Sequence, residues 1–179
     1  MIDTDRILDR FYERGSGLRK ILETHSRLVG EKALDCARRH NLDIDADFVW
    51  EASLLHDIGI VMCKAPAILC NGSEEYIRHG IIGREMLDAL NLYRHALVCE
   101  RHTGAGLTIS DIKSQNLPLP LRDMTPQTTE ERLICYADKF FSKSGDYKKE
   151  KPFDKVLASM SRHGEDTLHR FLRLHEEFG

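Results

Sequence analysis

Leu54-Leu55-His56-Asp57-Ile58-Gly59-Ile60 sets an imidazole and a carboxylate side by side inside an apolar run. The run closes a segment for which Asp43 or Asp45 can serve as the helix cap, and which places Phe48, Val49, Leu54 and Ile58 on one face. Pro66 and Asn71-Gly72 then mark residues 60–73 as a loop with one irregular turn. His56 and Asp57 therefore stand at a helix end among apolar neighbours. An acid there has an ordinary use as a cap, so the pair gains meaning only from the rest of the chain.

Working outward, Thr4 can cap a short helix carrying Ile7, Leu8 and Phe11, which stops before Gly15-Ser16-Gly17. Apolar positions 18, 21, 22, 28, 29 and 33 continue a second helix to about His40. Beyond the loop, helical spacing resumes near Glu74 and runs through Ile77, Ile81, Ile82, Met86, Leu87 and Leu90. Another helix spans about 92–102 and ends at Gly104-Ala105-Gly106. Residues 104–127, with Pro118, Pro120 and Pro126, read as an excursion over the surface. Thr128 or Thr129 opens a helix with Leu133, Ile134, Ala137 and Phe141 on its stripe, and a helical pair at about 152–178 follows the charged connection 146–151. No strand-like alternation appears. The expected fold class is all-α.

The 179 residues suffice for a single domain over 1–179. Lys and Arg number 26 against 29 Asp and Glu, a net charge of −3, so neither nucleic acid nor an anionic membrane is an expected partner. A small phosphorylated substrate held by local groups remains compatible. No apolar run approaches the ~18 residues of a membrane span, and the first residues are too charged for a signal peptide. Five cysteines, odd in number and without a C-x-x-C, point to a reduced, cytoplasmic protein.

Nine histidines are the unusual feature. At about 100° per helical residue, His25 falls in the stripe of Leu18, Ile21, Leu22, Leu28 and Val29. His79 shares a face with Ile82, Met86 and Leu90. His102 lies four residues after Val98, and Asp138 lies four after Ile134 and three before Phe141. Any one of these is most simply a core residue bonded to a carbonyl, or a cap. Together with His56 and Asp57 they are six donors from five helical segments. Burying two carboxylates without cations is costly, and imidazole with carboxylate suits Fe, Mn, Zn or similar divalent ions.

The order His25, His56-Asp57, His79, His102, Asp138 resembles the HD-domain superfamily of metal-dependent phosphohydrolases, whose HDIG motif stands here as His56-Asp57-Ile58-Gly59. The resemblance covers about 25–141 and implies the HD helical core, with additional N- and C-terminal helices. ERHTGAGLT (100–108) and TTEERLICYADKF (128–140) look like a family of small HDIG-related hydrolases. The HTG and ADK stretches also resemble the HD enzymes that hydrolyse dinucleoside tetraphosphates. By resemblance, His25, His56, Asp57 and Asp138 hold one metal, His79 and His102 hold a second, and Asp57 bridges the two. The ions implied are one or two divalent metals, Fe or Mn first, with Zn, Ni, Co or Mg possible. The implied activity is hydrolysis of a small phosphate ester or nucleotide, with Asp57, Lys139 and Arg101 as the catalytic candidates. Lys139 and Arg101 neighbour ligands and could contact a phosphate; a salt bridge is the plain alternative.

Two other readings share the ligand set. The HD-fold mixed-valent di-iron oxygenases have the same order of four histidines and two aspartates. A non-catalytic metal- or nucleotide-binding domain is the third reading, because Ile60 stands where HD proteins often carry a lysine. Lys64 or Lys139 are the substitutes in view. Cyclic-di-GMP cleavage is not expected, since Val98-Cys99 and Leu107-Thr108 depart from the HD-GYP pattern that ERHTGAG otherwise echoes. His95 is an alternative to His102. Glu100 and Thr103 are candidate supports, Trp50 reads as core, and His40, His163, His169 and His175 read as exposed.

Overall fold

The computed structural model describes residues 1–179, and five of its nine α-helices begin where a short polar side chain satisfies a free backbone amide. In α1 (Thr4–Leu8) the cap is Asp3, one residue ahead of the expected Thr4, and its carboxylate accepts from the Arg6 amide. Ser16 caps α2 (Gly17–Arg39). Asp45 rather than Asp43 caps α3 (Ala46–Leu55), because its carboxylate reaches the Phe48 amide three residues on. α4 (His79–Asp88) and α5 (Tyr93–Arg101) follow. Then come α6 (Ile109–Ser114), α7 (Thr129–Asp138) with its Thr128 cap, α8 (Phe153–Ser161) and α9 (Glu165–Phe178). The class is all-α; the one sheet is β1 (Lys64–Ala65) paired antiparallel with β2 (Cys70–Asn71). No helix is long and apolar enough to cross a membrane.

Residues 58–73 are more ordered than a loop reading implies. A 3-10 turn spans Ile58–Met62, and the small ladder follows it. Gly59 explains how tightly this turn seats: a Cβ there would lie 2.1 Å from the His79 carbonyl oxygen and 2.5 Å from the Gly83 amide. Only a residue without a side chain lets the turn press onto α4, and that contact brings His56-Asp57 towards His79.

Residues 104–127 also depart from expectation. Thr108 and Asp111 form a reciprocal capping box for α6, and Leu107 and Met124 exchange backbone hydrogen bonds of 3.0 and 2.7 Å. Leu107, Ile112 and Met124 are buried with Ile81 in a small cluster of their own. The prolines shape this segment without lifting it off the protein, because its apolar side chains still find a face to cover.

Two larger clusters position the site. One joins Val29, Val49, Leu133, Ile134 and Phe171 across α2, α3, α7 and α9. The other holds Leu22, Leu55, Ile58, Ile60, Leu87 and Cys99. Along α2, Leu22 belongs to the second and Val29 to the first, so His25 sits at their seam. All five cysteines are buried and free. Trp50, read as core, is half-buried.

Candidate metal centre

The six donors come from five elements, mostly from helix ends. His25 is mid-helix in α2; His56 and His102 follow the last residues of α3 and α5. His79 opens α4, Asp138 closes α7, and Asp57 precedes the 3-10 turn. All six are buried. Helix ends matter because their last carbonyls lack partners within the helix. His56 Nδ1 donates to the Ser53 carbonyl at 2.7 Å and His102 Nδ1 to that of Cys99 at 2.8 Å. His79 Nδ1 donates likewise to the Tyr76 carbonyl of the preceding turn at 2.6 Å. A neutral imidazole that donates through Nδ1 keeps its Nε2 lone pair for the interior.

Those inward atoms meet around two points. His25 Nε2 lies 2.9 Å from Asp138 Oδ1 and 3.2 Å from Asp57 Oδ2. His56 Nε2 lies 2.9 Å from Asp57 Oδ2 and 3.5 Å from Asp138 Oδ1. On the other side, His79 Nε2 and His102 Nε2 are each 3.4 Å from Asp57 Oδ1 and 3.1 Å from one another. Asp57 thus belongs to both donor groups, one oxygen facing each. In each group the ligand atoms lie within 4.8 Å of one another, the spacing of a shared cation.

The donor chemistry fits divalent cations. With both Nδ1 protons given to carbonyls, His79 and His102 confront each other through lone pairs, a repulsion that a cation between them removes. His25 Nε2, His56 Nε2 and both Asp57 oxygens are buried without an aligned hydrogen bond. Such atoms ordinarily cost about 1–3 kcal/mol each, so a built cluster of them implies a ligand. Four imidazoles and two carboxylates without a thiolate suit Fe, Mn, Zn or Mg-like ions.

Electrostatics follow from burial and these short distances. Burial pushes the His79 imidazole down to about 3, against the pull of Asp57, and it pushes His102 down as well. Both stay neutral and able to donate. Burial works the same way on His56, but Asp57 and Asp138 outweigh it and raise this group to about 9. Burial by itself would raise the two carboxyls. His56 and Lys143 instead hold Asp57, and Lys139 and His25 hold Asp138, well below the usual carboxylate range.

The candidates for catalysis are placed differently from one another. Asp57 is at the centre. Lys139 Nζ sits 2.6 Å from Asp138 Oδ2 and donates to the His102 carbonyl at 2.9 Å, so its ammonium is already engaged. Arg101 is turned onto Glu131, in two contacts of 3.0 and 2.9 Å; the plain salt bridge is what the structure shows. Lys64 is exposed on β1. Glu100 receives Arg84 and Arg122. His95 pairs with Glu51 at 3.2 Å and does not replace His102. His40, His163 and His169 are exposed, whereas His175 is half-buried, bonded to the Tyr136 hydroxyl at 2.9 Å and stacked on Phe153 at 4.0 Å. That correction reflects the inner face of α9, where Phe171, Leu174 and Phe178 are buried.

Two residues near the centre were not singled out by sequence reasoning. Tyr76 stacks on His79 at 4.9 Å. Lys143 Nζ lies 2.6 Å from Asp57 Oδ2. Neither carries a periodic signal, since Tyr76 lies in a 3-10 turn and Lys143 in the connection after α7. Thr103 and Gly104 border a cavity of about 270 Å³ against His79, with Ile77, Leu107 and Leu117 in its wall.

Comparison with known proteins agrees with the fold. The HD domain family matches residues 22–142, and the chain belongs to that family. It is 31% identical over 157 residues to a tRNA (cytidine(56)-2'-O)-methyltransferase of Picrophilus torridus, covering 83% of this chain and 38% of that protein. A protein of the same name from Thermoplasma volcanium is 30% identical over 176 residues, covering 97% of this chain and 46% of its own length. An uncharacterised protein of Methanocaldococcus jannaschii is 33% identical over 118 residues, 64% of this chain and 62% of that one. The chain thus spans less than half of each methyltransferase and less than two thirds of the third relative. No solved structure matches it.

Proposed function

We propose that this chain is a metal-dependent phosphohydrolase acting on a small phosphate ester, a nucleotide among them. The observation that carries the reading is Asp57, whose two buried oxygens face two separate groups of buried ligand atoms. Bound there, a pair of divalent cations, Fe or Mn first and Zn, Ni, Co or Mg after them, would supply Lewis acidity for in-line attack on a phosphoryl group.

The protein's own residues supply the rest. Carbonyls of Ser53, Tyr76 and Cys99 orient three imidazoles. Lys139 joins Asp138 of one donor group to the backbone of His102 in the other, so the two groups share one frame. The cavity beside His79 offers Thr103, Gln115, His163 and Thr167 as polar contacts beside the apolar Ile77, Leu107 and Leu117, and neither Lys nor Arg lines it. Such a pocket suits the uncharged body of an ester better than a polyphosphate tail. The tRNA reaction in the names of two relatives belongs to those longer proteins; here the net charge of −3 gives no support for a nucleic-acid substrate.

The test is to purify the protein anaerobically, measure its metals, and follow phosphate release from a panel of monoesters and nucleotides with Mn²⁺ or Fe²⁺ added. Metal-dependent release supports the assignment. Full metal occupancy without release from any ester, or oxygen consumption in its place, overturns it.

A further inference from the structure

A charge count leads to Lys143. The donor cluster carries the two carboxylates of Asp57 and Asp138, and two ammonium groups, Lys139 and Lys143, are in contact with them. The two lysines differ in how they are held. Lys139 Nζ has a second anchor in the His102 carbonyl. Lys143 Nζ has its ion-pair contact on Asp57 Oδ2, the same oxygen that faces His25 and His56. Its ammonium therefore occupies the approach to an oxygen that the four-donor group would offer a cation.

Lys143 also lies where the centre meets open space. Its side chain is 13% exposed while that of Asp57 is fully buried. It borders a cavity of about 340 Å³ together with Tyr76, Phe141, Ser142, Ser144 and Ile68, and no acidic residue lines that cavity. Position 60 cannot supply a charge here, because Ile60 is packed with Leu55 and Ile58 in the apolar cluster. Lys64 is exposed on the ladder.

We infer that Lys143 is a resident cation: it holds Asp57 before a metal binds and, once displaced from Oδ2, turns into the adjoining cavity to pair with the phosphate of the substrate. This rests on the phosphohydrolase reading above. A divalent cation and an ammonium cannot share one carboxylate oxygen without strong repulsion, so the lysine yields. Its four-carbon stem lets Nζ move while the backbone stays, and a compact ammonium with three donors suits a phosphate oxygen. Metal and phosphate then bind with positive coupling, because the first frees the group that receives the second.

Titration calorimetry with Mn²⁺ alone, then with inorganic phosphate at saturating Mn²⁺, tests this on the full chain. Lys143→Met should bind the first Mn²⁺ about tenfold more tightly than the wild type, as the competitor is gone. The Mn²⁺-loaded variant should bind phosphate about tenfold more weakly, and Lys143→Arg should retain phosphate binding. Unchanged or weaker Mn²⁺ affinity, or unchanged phosphate affinity, overturns the assignment. Should Lys143→Met fail to fold without metal, the phosphate arm is read on Mn²⁺-loaded Lys143→Gln, where wild-type affinity has the same meaning. A wild type that takes up no Mn²⁺ would remove the metal centre and this role with it; a wild type that binds Mn²⁺ beside an indistinguishable Lys143→Met removes the lysine's role alone.

Discussion

Asp57 gives one oxygen to each donor group, so a change there is felt in both. Asp57→Asn keeps the shape but loses the charge and one of the two ligating oxygens. The expected outcome is lower occupancy of both metal positions. His79→Ala or His102→Ala should empty mainly the second position, and Asp138→Asn mainly the first. Metal stoichiometry of the four purified variants distinguishes these patterns. An Asp57→Asn protein that retains two metals would show that the carboxylate is not shared between the two positions.

Elements meet at two contacts whose strength can be read separately. Gly59 seats its turn against α4 with backbone on both sides, so Gly59→Ala cannot be relieved by moving a side chain. We expect a loss of about 3 kcal/mol or more, at the upper end of overpacking costs, accompanied by weaker metal binding. Denaturant unfolding with and without Mn²⁺ measures both, and wild-type stability in this variant would refute the close approach. The second contact ties the end of α1 to α2. Asp9 follows α1 and pairs with Arg14 and with Arg19 of α2; these partners, Arg14 first, hold its carboxyl at about 2 rather than the ordinary 3.8. A depressed carboxyl contributes stability above its ordinary value and loses it as pH falls through the lowered one. Asp9→Asn should therefore melt below the wild type at pH 5 and above, with the gap closing between about pH 4 and pH 2. A gap independent of pH over that window would exclude the ion pair as its source.

For the molecule as a whole, the balance of charge at the centre predicts how it responds to metal removal. Lys139 and Lys143 pair with the buried carboxylates, and two large apolar clusters form the core around the donors. Chelation should leave the helical circular dichroism at 25 °C in place. Adding Mn²⁺ at about a hundred times its dissociation constant should then raise the melting temperature by about 5–10 °C. Loss of the helical signal on chelation would mean that the metals, rather than the lysines and the core, hold the fold.

The helices and the order of the donors could be read in the chain because both are written locally. Periodicity placed Leu22, His25 and Val29 on one face of α2, and caps such as Asp45 and Thr128 act within three residues of themselves. The same locality kept His25, His56, Asp57, His79, His102 and Asp138 together as one pattern of buried donors. Contacts between distant segments were decided by tertiary structure. Arg101 and Lys143 look alike as cations near ligands, yet packing turns one onto Glu131 and the other onto Asp57. Residues 104–127 contain three prolines and little periodicity, yet Leu107, Ile112 and Met124 bury themselves because Ile81 offers a face. That Asp57 points one oxygen at each donor group depends on where α2, α4, α5 and α7 meet around it. A sequence specifies the turn of a helix through neighbours three and four residues away; it specifies the direction of a carboxylate oxygen only through the packing of the whole chain.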